Sequence, residues 1–293
     1  MKRLAASLLL ILPTAASAHG GGGEEGWSPE PAVVVPLLLI AGLYGAGFAR
    51  LWARSDQGRS DLRQGAGLFA AGWLVLAGAI ASPLHQAGER SFTMHMIEHE
   101  LIMLPAALLL VLARPGPVLL WAFPAPARGA FGAVARSGRG LWVLASTPVA
   151  ATILQGAAMW LWHMPPLFDR ALDSEAWHIA QHVSFLATAL LFWWAMAHGR
   201  AGRHGYGLVA MCLFVTTLIG GALGALMAFS ASPWYSGYAA LGMTPSGLSP
   251  AEDQQLAGLI MWIPGGVFHA AAALFFLYQW LRASEVGHAV AAE

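Results

Sequence analysis

Two histidine pairs dominate the chemistry this sequence offers. His95 and His99 lie in Met94-His95-Met96-Ile97-Glu98-His99-Glu100, and His178 and His182 lie in Trp177-His178-Ile179-Ala180-Gln181-His182. On a helix, an i, i+4 spacing puts both imidazoles of a pair on one face, about 6 Å apart. That separation suits two ligands on one metal, or adjacent ligands on two. His163 closes a third apolar run, in Trp160-Leu161-Trp162-His163-Met164-Pro165-Pro166. A single imidazole in an apolar segment ordinarily hydrogen-bonds between helices or sits at an interface, and His85, His198, His204 and His288 are read that way. Five imidazoles and two carboxylates, Glu98 and Glu100, are a different matter. Buried without partners they would cost several kcal/mol, which a bound metal would offset. Neutral imidazole suits Zn, Cu, Fe and Ni, whereas thioether selects Cu(I). Met94, Met96, Met103 and Met164 lie nearby, and although methionine is also a common core filler, the combination favours copper. The single cysteine, Cys212, is flanked by apolar residues and reads as inert.

The elements that must position these groups are membrane helices. Of 293 residues, 57% are hydrophobic and only 10% charged, far below the roughly 25% charged content of soluble domains. A disordered chain and a disulfide scaffold are excluded, and a net charge of zero speaks against a nucleic-acid binder. Met1-Lys2-Arg3, an apolar Leu4–Ala16 and Ala16-Ser17-Ala18 together form a signal peptide over 1–18. Cleavage there would expose His19, a metal-chelating terminus, at the head of a short exported tail, 19–31. Seven apolar runs follow near 32–53, 65–84, 92–112, 140–162, 177–197, 205–229 and 254–281, each about the length of a membrane helix. They predict an all-α bundle of seven transmembrane helices over 32–281, with a cytoplasmic tail at 282–293. Pro105 and Pro264 should bend helices three and seven. Gly220-x-x-x-Gly224 should allow close helix approach in helix six.

Charge sets the orientation. Arg50, Arg54, Arg59 and Arg63 share one loop; Arg114, Arg128, Arg136 and Arg139 another; Arg200 and Arg203 a third; Arg282 follows the last helix. The positive-inside rule makes those loops cytoplasmic and puts the N-terminus outside. The opposite loops carry Glu24, Glu25, Glu30, Glu89, Asp169, Asp173, Glu175, Glu252 and Asp253. Helices three and five then run outside to inside, so both histidine pairs and His163 fall near the outer surface. Asp253 and Gln254 stand at the outer start of helix seven. Asp253 is read either as an acceptor that orients an imidazole or as a helix cap. Glu98, Gln254 and Met261 are assigned supporting positions beside the ligands. His269 lies about 24 Å deeper along the helix and outside the cluster.

Four stretches carry a family resemblance. They are His95-Met96-x-x-His99 through Pro105; Trp162-His163-x-Pro165 with Asp169 and Leu172; His178-x-x-x-His182; and Asp253-Gln254 through Gly258 and Met261-Trp262. As a set they resemble the CtaG-type cytochrome c oxidase assembly factors of bacterial membranes. The resemblance implies an inner-membrane protein that is no enzyme and serves assembly of copper-containing haem–copper oxidases. Its partners would be oxidase subunits and the bilayer, with homo-oligomerisation left open. On that reading copper is held on the exported side by His95, His99, His178 and His182, with His163, Met94, Met96 and Met164 as further ligands. Two other readings stay open. His95-x-x-Glu98-His99 matches the H-x-x-E-H zinc peptidase pattern, with Glu98 as general base. Alternatively, histidines facing each other across helices three and five could clamp a haem or mark a copper transport path.

Overall fold

A computed structural model describes residues 31–55, 57–199 and 204–291. The expected signal peptide over 1–18 and all of the expected exported tail over 19–31 except Pro31, including His19, lie outside them, as do Arg200 and Arg203 and the side chains of His204 and His288. Among the described residues there are helices and no strands. In order they are α1 (Pro31–Arg54), α2 (Arg59–Ile80), α3 (Pro83–Gly88), α4 (Phe92–Ala113), α5 (Pro115–Trp121), α6 (Ala125–Ser137), α7 (Arg139–Ala145), α8 (Pro148–Trp162), α9 (Pro165–Asp173), α10 (Glu175–His198), α11 (His204–Ala228), α12 (Ser236–Leu241) and α13 (Pro250–Ala291).

Five of these, α1, α4, α10, α11 and α13, are long and apolar enough to cross a membrane, so the protein is a multi-pass membrane protein. Of the expected seven spans, the described residues thus support five by length and composition, or six if α7 and α8 form one broken span. Two local causes account for the difference. The run at 140–162 is interrupted at Ser146-Thr147-Pro148, where α7 and α8 meet at 77°. Proline disfavours helix in the residue before it, and Thr147 instead caps α8, its Oγ1 accepting from the Ala150 amide at 3.3 Å. The run at 65–84 divides into α2 and the one-turn-and-a-half α3. In α2 the polar start through Arg59, Asp61, Arg63 and Gln64 leaves a short apolar stretch diluted by Gly65, Gly67, Gly72 and Gly78.

Helix α4 carries a π-helical turn over Ile102–Ala106 that contains Pro105. Proline removes one backbone donor and crowds the preceding turn, and here the extra residue of a π turn absorbs both. The Trp193 indole of α10 donates to the Met103 carbonyl in this turn at 2.9 Å, locking α4 to α10. Helix α13 runs through Pro264 without a break. Its closest neighbour is α11, and glycine explains the approach. A Cβ on Gly258 would lie 2.5 Å from the Gly224 carbonyl oxygen, and one on Gly224 would lie 2.7 Å from that of Gly258. Gly220 is less constrained, a Cβ there meeting only the Met159 side chain, at 3.8 Å. Most of the buried apolar residues form one core shared by α4, α8, α9, α10, α11 and α13.

Candidate metal centre

The start of α4 is where the bundle concentrates its polar burial. Ser91 caps the helix, and Asp253 reaches across from α13 to the same end. Its carboxylate accepts from Ser91 Oγ at 2.9 Å, the Phe92 amide at 2.6 Å and the Thr93 amide at 3.2 Å, while its backbone carbonyl accepts from Thr93 Oγ1 at 3.0 Å. A carboxylate at a helix N-terminus satisfies orphan amides and complements the helix dipole. Asp253 is therefore a cap on the neighbouring helix that carries His95 and His99, not the acceptor for an imidazole. Gln254 likewise holds backbone, accepting from the Trp234 amide at 2.6 Å and donating to the Ser232 carbonyl at 3.2 Å.

One turn into α4, His95 and His99 point into the bundle with ring centroids 4.2 Å apart. On α10, His178 and His182 hold their rings 4.4 Å apart, tilted by 50°. The two pairs face each other. His99 Nε2 and His182 Nε2 stand 3.1 Å apart, and the His95 and His178 rings lie parallel at 5.3 Å. His163, just past α8, is 6.4 Å from His99 between centroids. Its Nδ1 donates to the Met159 carbonyl at 2.7 Å, leaving Nε2 turned inward without a partner. Burial pushes the His163 imidazole down to about 4, which keeps it neutral and able to ligate.

A sixth imidazole joins them. His85, on α3, hydrogen-bonds Glu98 Oε1 through Nδ1 at 2.8 Å and stacks on His178 at 5.2 Å. The sequence alone places His85 with the helix-linking or interfacial histidines; it does bond across helices, but inside the cluster. Ser82-Pro83 is the signal that could have found it, a capping residue followed by proline at the first helical position. The Ser82 hydroxyl accepts from the Leu84 amide at 3.2 Å. That motif announces a separate short helix, which turns His85 back onto α4. Gly88 permits the closure, since a Cβ there would sit 3.3 Å from His95 Cα.

Several assigned residues stand elsewhere. Met96 and Met261 are buried in the main hydrophobic core. Met164 is 49% exposed, unlike the cluster. Met94 is partly buried at the first turn of α4. His269 Nδ1 donates to the Gly265 carbonyl, 2.8 Å away, and the ring lies flat on Trp193 at 5.7 Å. His198 receives Arg114 Nε at 3.0 Å at the opposite end of α4 and α10. An aromatic cover that sequence reading did not anticipate closes the cluster. Phe168 stacks on Tyr235 at 4.0 Å and lies 5.3 Å from His95. Tyr235 donates to the His163 carbonyl at 3.0 Å, and Tyr238 donates to that of Gly88 at 2.6 Å. Burial raises both phenols above their ordinary range, so they remain protonated donors. Asp169 in turn holds the cover, accepting from Ser236 Oγ at 2.6 Å and the Gly237 amide at 3.3 Å.

The donor set fits a metal ion. Two triads, His95–His99–His182 and His85–His178–His182, each bring three ligand atoms within 4.8 Å of one another. Imidazole nitrogens bound at about 2.0–2.1 Å in tetrahedral geometry stand a little over 3 Å apart, close to the observed His99–His182 separation. His95 Nε2, His99 Nδ1, His163 Nε2 and His178 Nε2 are buried without a hydrogen-bond partner among the described residues. Orphaned buried nitrogens are rare in folded proteins and call for an explanation.

Fold and site together define a multi-pass helical membrane protein with a polyhistidine metal-binding geometry at one end of its bundle. The cytochrome c oxidase caa3 assembly factor family model (Caa3_CtaG) matches residues 42–283, and the chain belongs to that family. No curated protein and no solved structure matches the chain.

Proposed function

We propose that this protein binds copper through its buried histidine cluster and hands it to a cytochrome c oxidase subunit in the membrane. The observation that carries the reading is the convergence of imidazoles into two triads, with the buried nitrogens His95 Nε2, His99 Nδ1, His163 Nε2 and His178 Nε2 lacking a hydrogen-bond partner among the described residues. Copper is the metal of choice because imidazole suits it and because the family serves assembly of an oxidase that contains it. The histidines carry the affinity. Met96, packed in the main core, and Met164, half exposed, are left outside the proposed ligand set.

The arginine-rich ends of α1, α2, α4 and α7 lie away from the cluster along the chain. By the positive-inside rule they face the cytoplasm, so the cluster faces the exported side of a bacterial inner membrane. In this arrangement α2 and the α7–α8 pair complete a seven-pass bundle. Release is a ligand exchange at the end of the bundle, beneath the aromatic cover. Haem ligation is disfavoured, because two nitrogens 3.1 Å apart leave no slot for a porphyrin between them. The peptidase reading is disfavoured because Glu98 Oε1 is engaged by His85.

The test is metal analysis of the purified protein after Cu(I) loading and desalting, with wild type compared to His99→Gln and His182→Gln. Copper retained by wild type and lost in both variants supports the reading. Equal copper in all three, or none in wild type, overturns it.

A further inference from the structure

We infer that the cluster holds two copper positions rather than one, joined through His182. This rests on the copper-binding reading above and extends it. Six imidazoles are more than one ion can take; five of them divide by geometry into two triads with His182 as the single common member, and His163 stands 6.4 Å from His99 between ring centroids. The two edges of the shared ring face different neighbours. Nε2 of His182 points at His99 Nε2, 3.1 Å away, whereas Nδ1 lies 3.8 Å from Glu98 Oε1, which is itself bonded to His85 at 2.8 Å. One edge of His182 thus belongs to the His95–His99 pair and the other to the His85–Glu98 side.

The two positions differ in access. His85 and His182 keep 15% and 13% of their side-chain surface exposed. His95 and His99 are 1% exposed and Glu98 is 0%. An ion arriving from the end of the bundle meets His85, His178 and His182 first. It reaches His95 and His99 by changing ligands around His182, with no stage at which it leaves imidazole. The outer triad is an entry position and the inner triad a holding position.

Charge limits what the pair can contain. In a low-dielectric pocket an unbalanced charge is strongly unfavourable. With one Cu(I) bound, the Glu98 carboxylate balances it and His182 stays neutral. With both positions filled, His182 binds through both nitrogens as imidazolate and its ring proton is released to solvent. Two Cu(I) ions are then matched by Glu98 and the imidazolate. No electron is transferred in either step. Two Cu(II) ions would leave two uncompensated charges, so the site selects the reduced ion.

The experiment is competitive Cu(I) titration of the full-length protein in detergent. It uses wild type, the outer variant His85→Gln/His178→Gln, the inner variant His95→Gln/His99→Gln, and His182→Gln. Helical content and monodispersity are checked for each variant. Two equivalents in wild type, one in each double variant and none held tightly in His182→Gln is the expected result. One equivalent in wild type, abolished by the inner variant and unchanged by the outer one, would overturn the second position while leaving the copper-binding reading intact. One equivalent abolished by either double variant would show a single mixed site and also overturn it. No copper in wild type removes both readings. Should a double variant lose helical content, the single changes His85→Gln and His99→Gln carry the same comparison.

Discussion

Removing the Asp253 carboxylate tests how the centre is held in place. Asp253 is 2% exposed and caps α4 from another helix through Ser91 Oγ and the Phe92 and Thr93 amides. In Asp253→Ala two buried amides lose their acceptor, at about 1–3 kcal/mol each, and the helix loses a favourable charge at its N-terminus, worth up to about 1 kcal/mol. The Ser91 hydroxyl can rotate to another acceptor and recovers part of this. The net loss expected is about 3–5 kcal/mol. At about 2 °C per kcal/mol for a chain of this size, the unfolding midpoint falls by about 6–10 °C. Asp253→Asn keeps one acceptor oxygen but not the charge, and loses roughly a third to a half as much. His95 lies in the first turn of α4, with its amide bonded to the Ser91 carbonyl at 3.1 Å. Loosening that turn lowers copper affinity about tenfold for each 1.4 kcal/mol of lost preorganisation. The assay is thermal unfolding in detergent by circular dichroism, paired with Cu(I) competition. An Ala variant that melts with wild type would refute the capping argument. An Asn variant with wild-type stability and no copper would make Asp253 a ligand instead.

Two further outcomes follow from the same geometry. Gly258→Ala places a methyl 2.5 Å from the Gly224 carbonyl oxygen, so α11 and α13 must separate, at about 1–3 kcal/mol; Gly220→Ala meets only Met159 at 3.8 Å and should unfold with wild type, a contrast readable in one melting experiment. His163 titrates at about 4 when folded against about 6.5 when unfolded, so its contribution is complete above pH 6.5 and is lost, up to about 3 kcal/mol, as pH falls toward 4. In metal-free protein, His163→Gln should flatten that part of the stability profile, and an unchanged slope would count against burial as the cause.

The histidine helices were legible because helical periodicity is a local property. His95 with His99, and His178 with His182, must share a face wherever the helix goes. Membrane residence was legible for a similar reason, since composition alone sets the cost of solvating so much apolar surface. The run at 140–162 was less so. Its apolar residues continue through Thr147-Pro148, and only the capped start of α8 shows that the chain turns there. The methionines were not legible, because a thioether side chain serves a core as well as a metal, and sequence spacing does not say that Met96 packs in the core or that Met164 is half exposed.

What this sequence determined by itself was the inventory: apolar helices, a charge asymmetry between their ends, and two imidazole pairs with fixed internal spacing. Tertiary structure decided the constellation. It brought His85 from a six-residue helix onto Glu98, put His182 between two triads, and turned Asp253 from a prospective imidazole partner into the cap of α4. Asp253 stands 161 residues from Phe92 along the chain. No local rule relates two such positions; the packing of α13 against α4 does, because buried amides at a helix start require an acceptor and that packing supplies one.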